Sequence, residues 1–142
     1  MTNSKLNKWF EDFILRKKNF FKDKKKLNLT IIMFTFQRPE CIIKSVAYWA
    51  NRPLNVIIID GSTKILNKFF RKIITKIKNI SYYHLPNTSI PERIRFGAHK
   101  SKTKFTMSQA DDDFYLFSGL VESVEKLKKN SSIAASMGQS LG

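Results

Sequence analysis

Three consecutive aspartates, Asp111, Asp112 and Asp113, are the residues of this 142-residue chain whose spacing most directly indicates chemistry. Adjacent carboxylates repel one another unless a positive charge lies among them, and a hard divalent cation prefers oxygen ligands of this kind. The chain as a whole carries 26 Lys and Arg against 11 Asp and Glu, so an acidic run is an exception in it. An alternative role is to stabilise the positive end of the helix that follows. The run therefore predicts either a cation site or a helix-terminal charge.

The segments around the aspartates place them at the end of a strand. Residues 104–110 are β-prone, and two other polar turns also end apolar, β-prone stretches. One turn is 35–38, at the end of a strand predicted at 29–36, and the other is 60–62, after a strand predicted at 55–59. Open α/β sheets bind ligands at the carboxyl ends of their strands. We therefore expect the three polar turns to converge.

Strand and helix signals alternate along residues 27–142. The remaining predicted elements are a helix from Pro39, a helix with apolar residues from Leu66 to Ile77, a strand at 80–85, a helix opened by Ser89 and Glu92 at capping-box spacing, a helix capped by Ser118, and a strand at 133–137. Such alternation predicts one α/β domain, with a mainly parallel, Rossmann-like sheet and helices on both faces. Neither GxGxxG nor GxxxxGK[ST] occurs, which argues against dinucleotide and P-loop sites.

Residues 1–26 differ from the rest of the chain, because they contain nine Lys and Arg but only three acids. Their apolar side chains partly follow helical spacing, at Leu6, Trp9, Phe10, Phe13, Ile14, Phe20 and Phe21. This pattern predicts a basic amphipathic helix, followed by a solvated linker at 24–26. Two roles stay open: residues 3–22 lie on an anionic membrane surface, or their apolar face packs on the domain core or on another subunit.

Charge and cysteine content narrow the setting of the protein. A net charge of +15 and a pI of about 10.1 favour an anionic partner such as phosphate, nucleic acid or an acidic membrane surface. The single cysteine, Cys41, excludes an internal disulfide and fits a reducing compartment. No apolar run approaches the roughly 20 residues of a membrane span, and no hydrophobic segment with a cleavage site is found in the first residues, so we expect neither a span nor a signal peptide. We expect a cytoplasmic protein, peripheral at the inner face of the membrane if residues 3–22 bind lipid.

Four segments share an order and spacing with a known enzyme family. They are 29–40, which ends in Thr-Phe-Gln-Arg-Pro-Glu, 57–62, which ends in Asp-Gly-Ser, 93–104, which contains two arginines, and the aspartate triplet. Over residues 28–142 these segments resemble the inverting family 2 glycosyltransferases with the GT-A fold. That family commonly has Thr-Tyr-Asn-Arg-Pro-Glu after its first strand, acids before Gly-Ser after its second, an arginine-containing helix, and an Asp-x-Asp metal motif.

The resemblance implies a metal-dependent transfer of a sugar from a nucleotide diphosphate. It implies that Asp111 and Asp113 bind Mn²⁺ or Mg²⁺, that Asp60 contacts the base of the nucleotide, and that an arginine contacts the diphosphate. The residues that it implies for nucleotide-sugar binding are Thr35, Phe36, Gln37, Arg38, Asp60, Arg93, Arg95 and Asp112. A UDP-sugar is the favoured donor, and a glycan or a lipid-linked molecule is the expected acceptor.

The chain departs from the family in the part that would supply the catalytic base. After Asp113 the only acids are Glu122 and Glu125, both within a helix pattern, so the base is expected to be absent. What remains resembles the donor-binding half, truncated before the acceptor half. The rival interpretation is a non-enzymatic basic module that binds nucleic acid or an anionic membrane surface. Organised acids at the mouth of a sheet favour the transferase and make nucleic acid the weaker of these partners.

Overall fold

The computed structural model describes residues 3–17 and 25–137, and strands alternate with helices from the first strand onward. The elements are α1 (Asn3–Lys17), β1 (Leu29–Thr35), α2 (Pro39–Trp49), β2 (Asn55–Asp60), α3 (Lys68–Ile74), β3 (Ile80–His84), α4 (Ile90–Lys100), β4 (Phe105–Ala110) and α5 (Phe117–Lys129). The chain is therefore an α/β protein, as its alternating pattern predicts.

The four strands form one parallel sheet in the order β3-β2-β1-β4. The central strand β1 pairs with β2, where Thr35 lies opposite Asp60, and with β4, where Phe34 lies opposite Ala110. The chain moves outward from β1 to β3 and then returns to the other side of β1. This reversal makes the carboxyl ends of β1 and β4 the switch point at which such sheets open a crevice. The predicted parallel sheet is confirmed.

Helices cover both faces of this sheet. Successive strand residues point to opposite faces, so Ile31 and Met33 belong to the main core and Ile32 to a smaller one. The main core also contains buried residues of α1, α2, α3 and α5, namely Phe10, Ile14, Ile42, Val46, Trp49, Ile73, Ile74, Leu120 and Val124. The smaller core lies under α4, where a Cβ atom on Gly97 would come within 2.9 Å of Ile59 Cδ1. Glycine there lets α4 lie close to the sheet.

The basic amphipathic helix forms as α1, and it packs on the domain. Phe10 and Ile14 are 2% and 5% exposed. The rings of Phe10 and Phe70 pack edge to face, with their centroids 5.6 Å apart. Trp9 and Phe13 instead stack on each other at 5.4 Å, with 53% and 37% of their surface exposed. The other predicted members of this segment, Phe20, Phe21 and Lys24, lie outside the described residues. Within the described ranges no helix combines the length and apolar character that a bilayer crossing requires.

Three local predictions are wrong. Ser118 does not cap α5, because that helix begins at Phe117, with Leu116 at its N-cap and no side-chain cap. Residues 133–137 form no strand. Leu66 and Ile77 are buried but lie outside α3, since Asn67 accepts a hydrogen bond from the main-chain nitrogen of Phe69 and so fixes the start of that helix. The helix start at Pro39 and the capping box of Ser89 and Glu92 are confirmed.

Candidate functional site

Three polar turns meet at the carboxyl edge of the sheet. They follow β1 at 35–38, β2 at 60–62 and β4 at 111–113. Two hydrogen bonds join the first turn to the second: the Gln37 main-chain nitrogen donates to Ser62 Oγ at 2.7 Å, and the Gly61 nitrogen donates to the Thr35 carbonyl at 3.0 Å. The structure thus brings together the turns that the sequence predicts to converge.

The turn after β1 has an unusual backbone. Gln37 has a φ of 55°, a left-handed backbone conformation that residues other than glycine seldom adopt. It is fixed on one side by the bond to Ser62 and on the other by Pro39, which begins α2. Phe36, on the same turn, is 52% exposed. The turn therefore exposes an aromatic ring beside the site and places Arg38 at the N-cap of α2.

Asp111 is a buried carboxylate held from both sides of the crevice. It is 5% exposed, its Oδ2 accepts from the Thr35 hydroxyl at 2.5 Å, and its Oδ1 accepts from Arg38 at 3.2 Å. The hydroxyl of Ser45, in α2, also donates to its main-chain carbonyl at 3.1 Å. Both carboxylate oxygens accept a hydrogen bond, so a metal ion at Asp111 would compete with Arg38 for Oδ1.

Arg38 bridges the first two aspartates of the triplet. Its Nη1 lies 2.7 Å from Asp112 Oδ2 as well as 3.2 Å from Asp111 Oδ1. Hydrogen bonds to the two carboxylates, and then their charges, raise the pKa of Arg38, and the bond to Arg38 lowers the pKa of Asp112. The chain thus supplies a positive charge to its own acidic run. No acid lies in the first turn of α5, so the role at a helix end is not what the structure shows.

Asp112 and Asp113 are both exposed, but Asp113 differs from Asp112 in having no cationic partner among the described residues. Its main-chain nitrogen donates to Ala110 at 3.4 Å, and its carbonyl accepts from Gln109 Nε2 at 2.7 Å. Among residues 3–17 and 25–137 its carboxylate forms no salt bridge. Asp113 is therefore the aspartate whose carboxylate faces solvent without a competing cationic side chain.

Asp60 anchors the turn after β2. It is 1% exposed, its Oδ1 accepts from the Ser62 nitrogen at 2.9 Å, and its Oδ2 accepts from the Tyr82 hydroxyl at 2.5 Å. Burial, and next this hydrogen bond, raise the pKa of Tyr82 above its usual range, so the phenol remains a donor. Beside the turn lies an open cavity of about 470 Å³, whose lining includes Gln37, Pro39, Ile42, Asp60, Lys64 and Asn67.

Arg93 places a second positive charge at this edge, and it is buried. It is 5% exposed, and it donates to two main-chain carbonyls, of Thr35 at 2.5 Å and of Ser89 at 3.3 Å. It forms no salt bridge with any described residue. A Cβ atom on Gly61 would lie 2.5 Å from Arg93 Nη1, so the glycine makes room for it. Arg95, on the other side of α4, is exposed and does not share this position.

Several side chains that hold the site are not singled out by the sequence. Ser45 lies in an apolar helix pattern, and the sequence predicts that Tyr82 packs in a strand. Gln109 could have been found from the sequence, because it is a polar residue in a β-prone segment two positions before the triplet. Tyr82 and Ser45 bond to residues that lie 22 and 66 positions away along the chain. Such pairs can be known only from the fold.

Comparison with known proteins yields no family for this chain. No protein-family model matches the sequence, and no curated protein gives a significant match. The likeness to the glycosyltransferases accordingly stays an interpretation of the four segments described above. The site itself combines two cationic side chains, the carboxylates of Asp60 and the aspartate triplet, and a cavity at one edge of a parallel sheet.

Proposed function

We propose that the chain binds a nucleotide-diphosphate sugar at the carboxyl edge of its sheet, as the donor-binding half of an inverting, metal-dependent glycosyltransferase of the GT-A type. The observation that carries this proposal is Arg93. A buried guanidinium without a carboxylate partner is costly, and a bound anion offsets that cost. Because Arg93 shares this edge with exposed acids, a ligand that satisfies both is an anion that also carries a cation, as a metal-bound diphosphate does.

The residues around Arg93 suit the rest of such a ligand. Thr35 ties Arg93 to Asp111, because its carbonyl accepts from the first and its hydroxyl donates to the second. The cavity of about 470 Å³ beside Gln37 and Asp60 is large enough for a nucleoside. In this arrangement Arg93 contacts the diphosphate, Asp60 lies toward the base, and Arg38 stands between the acids and the phosphates.

The acidic run fits a Mg²⁺ or Mn²⁺ ion of the kind that a substrate helps to hold. Such ions are often bound through one or two carboxylates, with phosphate oxygens and water completing the shell. Asp112 and Asp113 are exposed and meet this need, although Asp112 Oδ2 accepts from Arg38, whereas Asp111 is buried and accepts from both Thr35 and Arg38. In the part of the chain that the structure describes, no three His, Cys, Asp or Glu side chains are grouped as metal ligands. When bound, the ion would stabilise the negative charge of a leaving diphosphate.

The described residues support donor binding better than the whole transfer. An inverting transfer needs a base within hydrogen-bond reach of the acceptor hydroxyl. Glu125 pairs with Lys128 at 2.7 Å and lines a groove with Lys26 and Leu27, which precede β1, so it lies toward the opposite end of the sheet. We therefore propose that the base, and the site for a glycan or lipid-linked acceptor, come from outside the described residues.

Calorimetric titration of UDP or a UDP-sugar into the chain tests the proposal. We expect binding about tenfold or more tighter with Mn²⁺ than with EDTA, which corresponds to about 1.4 kcal/mol or more. Asp113→Ala should abolish the difference, because it removes the exposed carboxylate of the site. Asp12→Ala, the same change at an exposed position on α1, is the matched control and should keep it. Equal binding in Mn²⁺ and in EDTA by the unmodified chain would rule out the proposal.

A second role, compatible with the first, is binding to an anionic membrane surface. It is favoured by the exposed stack of Trp9 and Phe13 on a helix that also exposes Lys8 and Arg16. Aromatic rings at the level of the lipid headgroups and cations facing acidic lipids are the features of an interfacial helix. Phe10 and Ile14 are already buried against the domain, so Trp9 and Phe13 are the described apolar side chains of α1 that could contact lipid.

A further inference from the structure

Gln109 is a buried amide in an apolar part of the molecule. It lies in β4 opposite Met33 of β1 and is 1% exposed. Side chains two residues apart in a strand share a face, so Gln109 is on the same side of the sheet as Met107, which packs against the main core. Most side chains in such a position are apolar, which makes a buried glutamine informative.

One half of this amide holds the aspartate triplet. Nε2 of Gln109 donates to the main-chain carbonyl of Asp113 at 2.7 Å, so the side chain reaches from the strand to the far end of the acidic turn. The near end of the turn is fixed separately, by the bond from the Ser45 hydroxyl to the Asp111 carbonyl at 3.1 Å. The main chain of the triplet is thus tied at both ends by buried side chains.

The other half of the amide has no partner. Gln109 Oε1 is buried and accepts no hydrogen bond from any described residue. A buried amide oxygen in this state destabilises a protein relative to an apolar group of the same shape. An apolar side chain would therefore serve the core better at this position, and the benefit of the glutamine must lie in its bond to Asp113.

We propose that Gln109 is a positioning residue of the cation site: it holds the main chain of Asp113 so that the exposed carboxylate meets a divalent cation bound together with a nucleotide diphosphate. This inference rests on the function proposed above. Asp113 has no salt bridge to orient its side chain among the described residues, so the direction of its carboxylate depends on the main chain that Gln109 holds.

Gln109→Met separates this role from simple packing, because methionine has a similar shape and no polar atoms that need hydrogen bonds. We expect the variant to melt at the wild-type temperature or above it, since the unpaired oxygen is gone. It should bind UDP in the presence of Mn²⁺ about tenfold or more weakly than wild type, and equally well in EDTA. Ser108→Ala, exposed on the opposite face of β4, is the control.

Each outcome of this experiment decides a separate question. Wild-type Mn²⁺-dependent affinity in Gln109→Met would overturn the inference, as would a Gln109→Met chain that melts lower and loses binding equally in Mn²⁺ and EDTA. A wild-type chain that gains nothing from Mn²⁺ would instead refute the proposed function, whatever the variants do. The electron paramagnetic resonance spectrum of bound Mn²⁺ gives a further readout, because a misplaced carboxylate changes the spectrum whereas a purely structural role leaves it unchanged.

Discussion

The guanidinium of Arg38 supplies the positive charge that three consecutive aspartates require. It lies 2.7 Å from Asp112 and 3.2 Å from Asp111, and half of its side-chain surface is exposed. A divalent cation bound to Asp111 would repel this guanidinium and favour its release. The released guanidinium would then be available to the phosphates of an incoming ligand, so metal and diphosphate would bind more favourably together than separately.

Arg38→Met tests this competition. Without divalent cations the variant should be less stable than wild type, because the buried carboxylate of Asp111 loses a hydrogen-bond donor. Added Mg²⁺ should raise the melting temperature of the variant more than that of wild type, since no guanidinium occupies the carboxylates. Thermal melts in EDTA and in Mg²⁺ measure both effects. Arg95→Met, at an exposed arginine of α4, serves as control, and an equal Mg²⁺ response in wild type and Arg38→Met would refute the competition.

The sequence identified candidate site residues more readily than the contacts between them. The triplet and Arg38 stand out in the sequence, but the pairing of Arg38 with Asp112 joins residues 74 positions apart and needs the register of the sheet. Asp60 was expected to face the base of a nucleotide, and the structure shows it holding its own turn through Ser62 and Tyr82. The contact with a base stays a prediction, because it concerns a ligand rather than the chain.

At the scale of elements, α4 is the helix on which the site depends most. It carries Arg93, begins with the capping box of Ser89 and Glu92, and approaches the sheet closely at Gly97. The Glu92 carboxylate accepts from the hydroxyl and main-chain nitrogen of Ser89, and these bonds lower its pKa. The position of Arg93 is thus set by contacts at two points of one helix.

Gly97→Ala should displace α4 from the sheet. The added methyl group would meet Ile32 and Ile59, and overpacking of this kind costs about 1–3 kcal/mol. Binding of UDP should weaken as well, because Arg93 moves with the helix. Gly119→Ala in α5 is the matched control: its Cβ atom meets nothing within 4 Å, so it should stabilise the protein by about 0.5–1 kcal/mol. Urea unfolding measures the two free energies, and an unchanged or higher stability in Gly97→Ala would contradict the close contact.

The sequence predicted which elements form better than where they end. Apolar runs and helical periodicity located all four strands and the helices between them, because burial on one or two faces leaves a strong pattern. The start of α5 was missed because Leu116 caps it without a side-chain bond. Residues 133–137 are apolar enough for a strand, but composition does not say whether a neighbouring strand is free to pair with them.

At the scale of the whole molecule, two surface properties bear on possible partners: the positive net charge and the aromatic stripe of Trp9 and Phe13 on α1. The chain carries a net charge of +15, and α1 exposes Trp9 and Phe13 while burying Phe10 and Ile14. The two predicted roles of the amphipathic helix are therefore divided between neighbouring faces. Packing on the core is what the structure shows, and contact with lipid is the proposal that the exposed face supports.

Vesicle co-sedimentation tests the lipid contact. The chain should bind vesicles that contain phosphatidylserine and not vesicles of phosphatidylcholine alone, and binding should weaken with salt because the cations act through charge. The double variant Trp9→Ser, Phe13→Ser should lose most of the binding, because it removes the exposed aromatic surface of α1. Ile65→Ser, at an exposed apolar residue elsewhere, should bind as wild type does. Equal binding to both kinds of vesicle would contradict the charge-dependent contact.

The central position of β1 has a consequence for how the site comes into being during folding. The bond from Thr35 to Asp111 closes a loop of 76 residues, whereas Gln37 and Ser62 are 25 residues apart. Closing a longer loop costs more entropy, so the bonds between β1 and β4 are the least favourable to make early. A chain in which only β1, β2 and β3 have paired would have much of its helix and strand content, but the aspartate triplet would not yet lie beside Thr35 and Arg38. Ligand binding, unlike circular dichroism, would therefore report the completion of folding.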